Sequence, residues 1–482
     1  MASKSISRRN FLKAGAVGAS AMAFAPSVLA SRLPAAIGRG KKKPAGNGKV
    51  DVAFIGIGNR GREVFEKFQA TGLVNVIALC DVDMGAKQTL QVLEMFPNVP
   101  RYQDFRKMLA EISDKIDAVV IATPDFSHFA ICIEAMRRGL HVYCEKPLAR
   151  TFMECELLMA AEKKYGVVTQ MGNQGHSEAN YYQFKAYKEA GIIKDVTAIT
   201  AHMNNPRRWH GWDSKMTAYP EPQPVPETMD WDTWMMQSHP RGFHKDFHNG
   251  QWRCWYEYGM GCLGDWGAHL IDTCHEFLEL GLPYEVNPLY LKEQNPFFYP
   301  MSSTLLFRFP ARGDMPPVDL TWYDGLDNIP ELPDGFGKVE LDPNIPTVNG
   351  GSIKPAKLNP GKEIYSKTLN FKGGSHGSAL SIFPESKAKE MEGKLPDYPK
   401  EHSDHFANFL LACQGKEEAH SAFHISAPLC QVFCLGVIAQ WTGHKIEFDR
   451  ETKQITNDPL ANQLLWGPTP RAGWEKYYMA EK

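Results

Sequence analysis

The chain has 482 residues and a net charge of −2, and 43% of its residues are apolar. A chain of this length holds about two or three domains, and its apolar share supports a sizeable core and excludes global disorder. The near-neutral charge balance gives no pull towards nucleic acid or an anionic membrane, so neither is expected as a partner.

Residues 1–30 read as an export leader of the twin-arginine type. Ser7-Arg8-Arg9-Asn10-Phe11-Leu12-Lys13 precedes an apolar run from Ala14 to Phe24, and Val28-Leu29-Ala30 offers a small-residue cleavage site. The leader implies export to the periplasm as an already folded protein; whether it is cleaved or kept as a tether stays open. Gly40-Lys41-Lys42-Lys43-Pro44 marks residues 31–48 as a linker. Past the leader no apolar run of about 18 residues occurs, so no spanning helix is expected after its removal. The ten cysteines are scattered, without CxxC or zinc spacing. Folding in a reducing compartment favours buried free thiols.

From Lys49 the pattern alternates between apolar strands and helices. Val50–Ile55, Asn75–Asp81, Asp117–Ala122, Leu140–Cys144 and Val167–Met171 read as strands of a parallel sheet covered on both faces. This predicts a Rossmann dinucleotide-binding domain over 49–175. A second, α+β domain is predicted over 176–466, with insertions near 205–258 and 326–362, followed by a tail over 467–482. In the second domain a helix is predicted from Cys262 to Leu280, strands at Thr304–Phe309 and Val318–Tyr323, and helices near His405–Cys413 and Ala427–Thr442. The strands alternate, as in an open, mostly antiparallel sheet with helices on one face. The fold class is therefore α/β.

The turn after the first strand is Gly56-Ile57-Gly58-Asn59-Arg60-Gly61. Gly56 permits the tight turn, Gly58 lets backbone approach a pyrophosphate, and Gly61 allows helix and strand to pack closely. Asn59 and Arg60 lead into the helix, whose amino end suits phosphates. About twenty residues on, Asp81 is placed to accept hydrogen bonds from the adenosine ribose, with Asp83 as the alternative. A carboxylate there repels a 2′-phosphate and favours NAD over NADP. Thr123, Pro124 and His128 of the stretch Ala122–His128, and Glu145 and Lys146 of Glu145-Lys146-Pro147, follow strand carboxyl ends, where such sheets bind ligands.

With Gly56–Gly61, Thr123–His128 and Glu145-Lys146-Pro147 in that order, the chain resembles the Gfo/Idh/MocA oxidoreductases over about residues 49–466. Its ending, Phe448-Asp449 to Asn462, resembles an exported twin-arginine subgroup. The resemblance implies NAD(P) in the cleft between the two domains, sugars or cyclitols as substrates, and a homo-oligomer. It matches the family lysine to Lys146 and the family Asp-x-x-x-His motif to Asp265-Trp266-Gly267-Ala268-His269.

Asp265 and His269, spaced i and i+4, share a helix face. Oxidation of a secondary alcohol needs a base, which suits His269, and a donor to the same oxygen, which suits Lys146. Asp265 would orient the imidazole or hold a neighbouring hydroxyl. His176, Arg253 and Trp209 are candidate substrate contacts; Trp209, His210, Trp212, Trp252 and Arg253 form either a sugar-stacking wall or the insertion's own core. His275 is read as structural. His239, His244 and His248 lie close in sequence, but their segment does not read as helical, so no metal site is expected. Free NAD is scarce outside the cytoplasm, which points to a tightly held cofactor restored within each cycle. The expected activity is an NAD-dependent oxidoreductase acting on a sugar, glycoside or cyclitol. An NAD-dependent glycoside hydrolase or lyase and a non-catalytic sugar-binding protein are the alternatives.

Overall fold

The computed structural model describes residues 48–204, 210–248, 250–339, 341 and 358–479. The leader, nearly all of the linker, Trp209 and much of 326–362 lie outside the described residues.

The first domain is built on a six-stranded sheet in the order β3-β2-β1-β4-β5-β6. Its strands are β1 (Val50–Ile55), β2 (Val74–Cys80), β3 (Arg101–Tyr102), β4 (Ala118–Ile121), β5 (His141–Cys144) and β6 (Thr169–Met171). Every pairing is parallel. Apolar residues such as Val52, Phe54, Val119, Val120 and Val142 are buried, as expected of strands covered on both faces. The β3 strand was not expected: with two residues, one of them exposed, it has no hydrophobic pattern to read.

The second domain carries a nine-stranded sheet in the order β13-β12-β11-β7-β10-β9-β8-β14-β15. Its strands are β7 (Val196–Met203), β8 (Glu285–Lys292), β9 (Ser302–Phe309), β10 (Val318–Asp324), β11 (Gly361–Ser366), β12 (Asn370–Gly373), β13 (Ser381–Phe383), β14 (Ile446–Asp449) and β15 (Gln454–Ile455). The β7–β10 pair is parallel and the others are antiparallel. Along β10 Val318, Leu320 and Trp322 are buried, while Asp319 between them is exposed. The helices Gly261–Leu270 and Phe423–Thr442 pack on this sheet and on each other.

The single helix expected over 262–280 is two helices, Gly261–Leu270 and Asp272–Phe277, meeting at Ile271. The helix Phe423–Thr442 is long and apolar enough to cross a membrane, with mean hydropathy 1.5, but 83% of that stretch is buried inside the protein. From sequence no such segment is expected, because Gln431 and Gln440 interrupt the apolar run. Both glutamines are buried, Gln431 donating to Glu156 and Gln440 to Ser303. The helix His405–Cys413 places Phe406 and Phe409 against Phe68 and Tyr143 of the first domain. Trp474 and Tyr478, in the tail, pack on Phe105 and Phe129.

Candidate active site

The carboxyl ends of β1, β4 and β5 open onto one cleft of about 490 Å³. Backbone bonds fix its floor: Gly56 N–H donates to Cys80 O, Ala122 N–H to Ile55 O, and Glu145 N–H to Ile121 O, at 2.8, 2.9 and 2.9 Å. Gly56 has φ +79°, and a Cβ there would lie 2.6 Å from the Ala122 carbonyl oxygen. A Cβ on Gly61 would lie 2.1 Å from the Gly56 oxygen. Neither position tolerates a side chain. The helix Arg60–Ala70 begins at Asn59 with no side-chain cap, so its amino end faces the cleft ready for an anion. One Asp81 oxygen accepts from Ile57 N–H and Gly58 N–H at 2.9 and 3.1 Å, tying the glycine turn to the end of β2. Burial lifts the Asp81 carboxyl above its usual range against these bonds. The narrow glycine turn, the uncapped helix end and an acid at the second strand together fit a dinucleotide.

At the other end of the cleft Lys146 reaches across from the first domain to the helix Gly261–Leu270. Its Nζ donates to the Asp265 backbone oxygen and to Asp265 Oδ1, both at 2.8 Å. Two of its three N–H donors are thus spent, and the third remains for a ligand oxygen. Arg253 approaches the same Oδ1 at 3.5 Å while its guanidinium stacks 4.0 Å above the Trp252 ring. Burial pushes the Lys146 ammonium below its usual range, with Asp265 opposing the shift. Asp265 thus holds Lys146 and approaches Arg253, contacts that the sequence did not assign to it. His269 is buried, its Nδ1 has no hydrogen-bond partner, and its basicity lies well below the usual histidine value, first through burial and then through His376 and Lys146.

Most of the residues singled out from sequence converge here. Gly56, Gly58, Asn59, Arg60, Asp81, Thr123, Pro124, Glu145, Lys146, Arg253, Asp265 and His269 all line the cleft. Gly61 lies beneath it, as its packing role requires. Two assignments need correction. His128 is fully buried behind the wall, its ring bridging Thr123 O and Pro147 O at 2.8 and 2.9 Å; it braces the two cleft turns and does not face a cofactor. His176 is held at 3.3 Å by Asp272 and at 2.6 Å by Glu276, away from the cleft lining. It follows β6 closely in the chain, but its ring points to the helix Asp272–Phe277. Trp209 lies outside the described residues.

The aromatic insertion divides between both readings. Trp212 and His210 pack on Trp255 and Phe298 in a core of their own, whereas Trp252 and Arg253 face the cleft. His248 also faces it, opposite Asp81 and Asp83, and His244 caps its own turn by accepting from Asp246 N–H. Sequence reasoning passed over three further lining residues. Asp125 sits inside a motif already noted, and burial lifts its carboxyl to about 7 despite nearby Arg253 and Lys146. His376 arrives on the loop joining β12 to β13, where no local signal marks it. Trp234 comes from the short helix Trp231–Met235 of the insertion. All ten cysteines are free. Cys155, Cys430 and Cys434 bring their sulfurs within 4.8 Å of one another, apart from the cleft. Cys430 donates to Ala149 O and Cys434 to Arg150 O.

The inositol 2-dehydrogenase of Salmonella typhimurium is 28% identical over 180 residues, covering 36% of this chain and 50% of the relative. The alpha-N-acetylgalactosaminidase of Tannerella forsythia is 33% identical over 163 residues, covering 31% and 34% respectively. The chain thus spans a third to a half of the length of these curated relatives. The WlbA dehydrogenase from Bordetella pertussis, solved with NADH and UDP-GlcNAcA, shares the fold at TM-score 0.54 and 15% identity, covering 83% of this chain and 99% of that one. Residues 50–173 match the family described as GFO_IDH_MocA, oxidoreductase family, NAD-binding Rossmann fold, and residues 185–287 match its C-terminal alpha/beta domain. With both domains matched in order, the chain belongs to the Gfo/Idh/MocA oxidoreductase family.

Proposed function

We propose that the chain is an exported, NAD-dependent oxidoreductase that oxidises a hydroxyl of a sugar, glycoside or cyclitol and keeps its nicotinamide through the cycle. The observation that carries this reading is the presence of Lys146 and His269 in the same cleft as the glycine turn and Asp81. A bound nicotinamide supplies the acceptor for the hydrogen leaving carbon. His269, neutral in its buried site, takes the hydroxyl proton. Lys146, steered by Asp265, gives its remaining N–H to the oxygen as charge grows there. Arg253 and Trp252 offer a cation and a ring face to a polyol. Asp81 reads the ribose and disfavours NADP. The twin-arginine leader supports export, and subunits pair through the open face of the nine-stranded sheet, as the family resemblance implies.

A glycoside hydrolase or lyase acting through transient ring oxidation is the second reading. Asp125 favours it: a carboxyl near 7 beside the Lys146–Asp265 pair can hold a proton for a departing glycosidic oxygen. The Tannerella relative carries a glycosidase name. Denaturing the purified protein and identifying released nicotinamide tests the cofactor. Mass spectrometry after incubation with glycosides then separates the readings: an intact keto-glycoside supports oxidation, and free sugar with aglycone supports cleavage. Release of no nicotinamide would defeat both.

A further inference from the structure

The insertion of the second domain does more than wall the substrate end. Its residues run along the cleft: Arg253, stacked on Trp252, stands beside Lys146, Trp234 packs on Phe126, and His248 lies towards the Asp81 end. That far end is fastened. Thr228 Oγ1 donates to Asp83 Oδ1 at 2.7 Å, and Thr228 O accepts from Met84 N–H at 3.2 Å and from Gln103 Nε2 at 3.1 Å. Asp230 N–H donates to Val82 O at 2.8 Å, and Asp83 and Met229 form a β-bridge. The chain just past β2, where an adenosine ribose is read, is thereby paired with backbone from the opposite domain. Gly85 makes the contact possible: a Cβ there would stand 2.4 Å from Thr228 Oγ1 and 2.7 Å from its Cβ.

We infer that the Thr228–Asp83 contact is a latch that holds residues 226–248 over the adenosine end of the groove, so that a bound dinucleotide exchanges only when this strap lifts. The inference rests on the proposed function and names the residues that would keep the cofactor in place. Asp83 lines the cleft, but Thr228 and Gly85 do not, so the latch can be opened at these two positions with Asp83 left in place. Opening it breaks several hydrogen bonds at once, which makes release slow without adding any contact to the ligand.

The test is exchange of isotopically labelled NAD on the full chain. Protein carrying labelled NAD is chased with excess unlabelled NAD, for the wild type, Thr228→Val and Gly85→Val. The first variant removes the hydroxyl, and the second wedges the strap away from Asp83. At least tenfold faster loss of label in both, with melting temperatures close to wild type, is the expected result. Should Gly85→Val fail to fold, Thr228→Val decides alone. Folded variants that release label at the wild-type rate overturn the latch while leaving the proposed function standing. A wild-type protein that neither releases nicotinamide on denaturation nor binds labelled NAD defeats the proposed function itself, and the latch with it.

Discussion

His269 and His376 stack face to face, with ring centroids 4.1 Å apart and planes inclined by 24°. They come from distant parts of the chain, and the His376 N–H donates to the His269 backbone oxygen at 3.3 Å. His376 has φ +52°, a left-handed conformation that costs a non-glycine residue energy and persists only when its surroundings impose it. Two stacked imidazoles resist carrying charge together, so His376 favours the neutral form of His269.

That pairing predicts the acid limb of the pH profile. Burial, then His376 and Lys146, hold His269 well below the ordinary 6.5, with Asp265 opposing. The base form persists in mild acid, and kcat/KM should begin to fall only below that value. In His376→Ala the limb should move to higher pH. An unmoved limb would show that His376 does not tune the base.

Because Asp265 Oδ1 and the Asp265 backbone both hold Lys146, the two side chains should act as a unit. Lys146→Ala is expected to lower kcat by about a hundred- to ten-thousandfold. Adding Asp265→Asn should cost much less than the product of the two single losses. Steady-state kinetics of the double-mutant cycle provides the check, and independent effects would contradict the geometry.

Asp81→Asn should weaken NAD binding by about ten- to a hundredfold, the worth of charge-assisted hydrogen bonds. It should also narrow the gap between NAD and NADP, since the carboxylate no longer repels a 2′-phosphate. Fluorescence titration with both reduced dinucleotides measures each change.

His176 predicts a pH dependence of stability. Burial alone would lower its basicity, but Asp272 and Glu276 outweigh burial and raise it to about 9 from 6.5. A group raised in the folded state stabilises fully below its unfolded value and loses that contribution as pH climbs through its folded value. Up to about 3 kcal/mol should therefore disappear between about pH 6.5 and 9. His176→Gln should be less stable at the acid end of this window and should show a flatter slope across it by thermal melting.

The first domain was legible because strands buried on both faces leave unbroken apolar runs, as in β1 and β4. The second sheet was harder to read. The β8 strand contains Pro288 and exposes Leu289 and Tyr290, and β11 begins inside a stretch whose Pro and Gly content reads as loop. Lys146, Asp265 and His269 could be found because local motifs carry them. His376, Trp234 and Thr228 could not, since only the meeting of distant segments brings them to the cleft or its rim. His128 and His176 show the converse: closeness to a strand end along the chain does not say which way a ring points.

The helix Phe423–Thr442 carries one more implication. Its 20 residues would pass as lipid-soluble to any machinery that threads the chain as an extended strand, yet in the folded protein they are wrapped by both domains. The order of events at a bilayer then decides the outcome: a chain that crosses before it folds presents a segment able to slip sideways and lodge there, whereas one that folds first shows the bilayer nothing to hold.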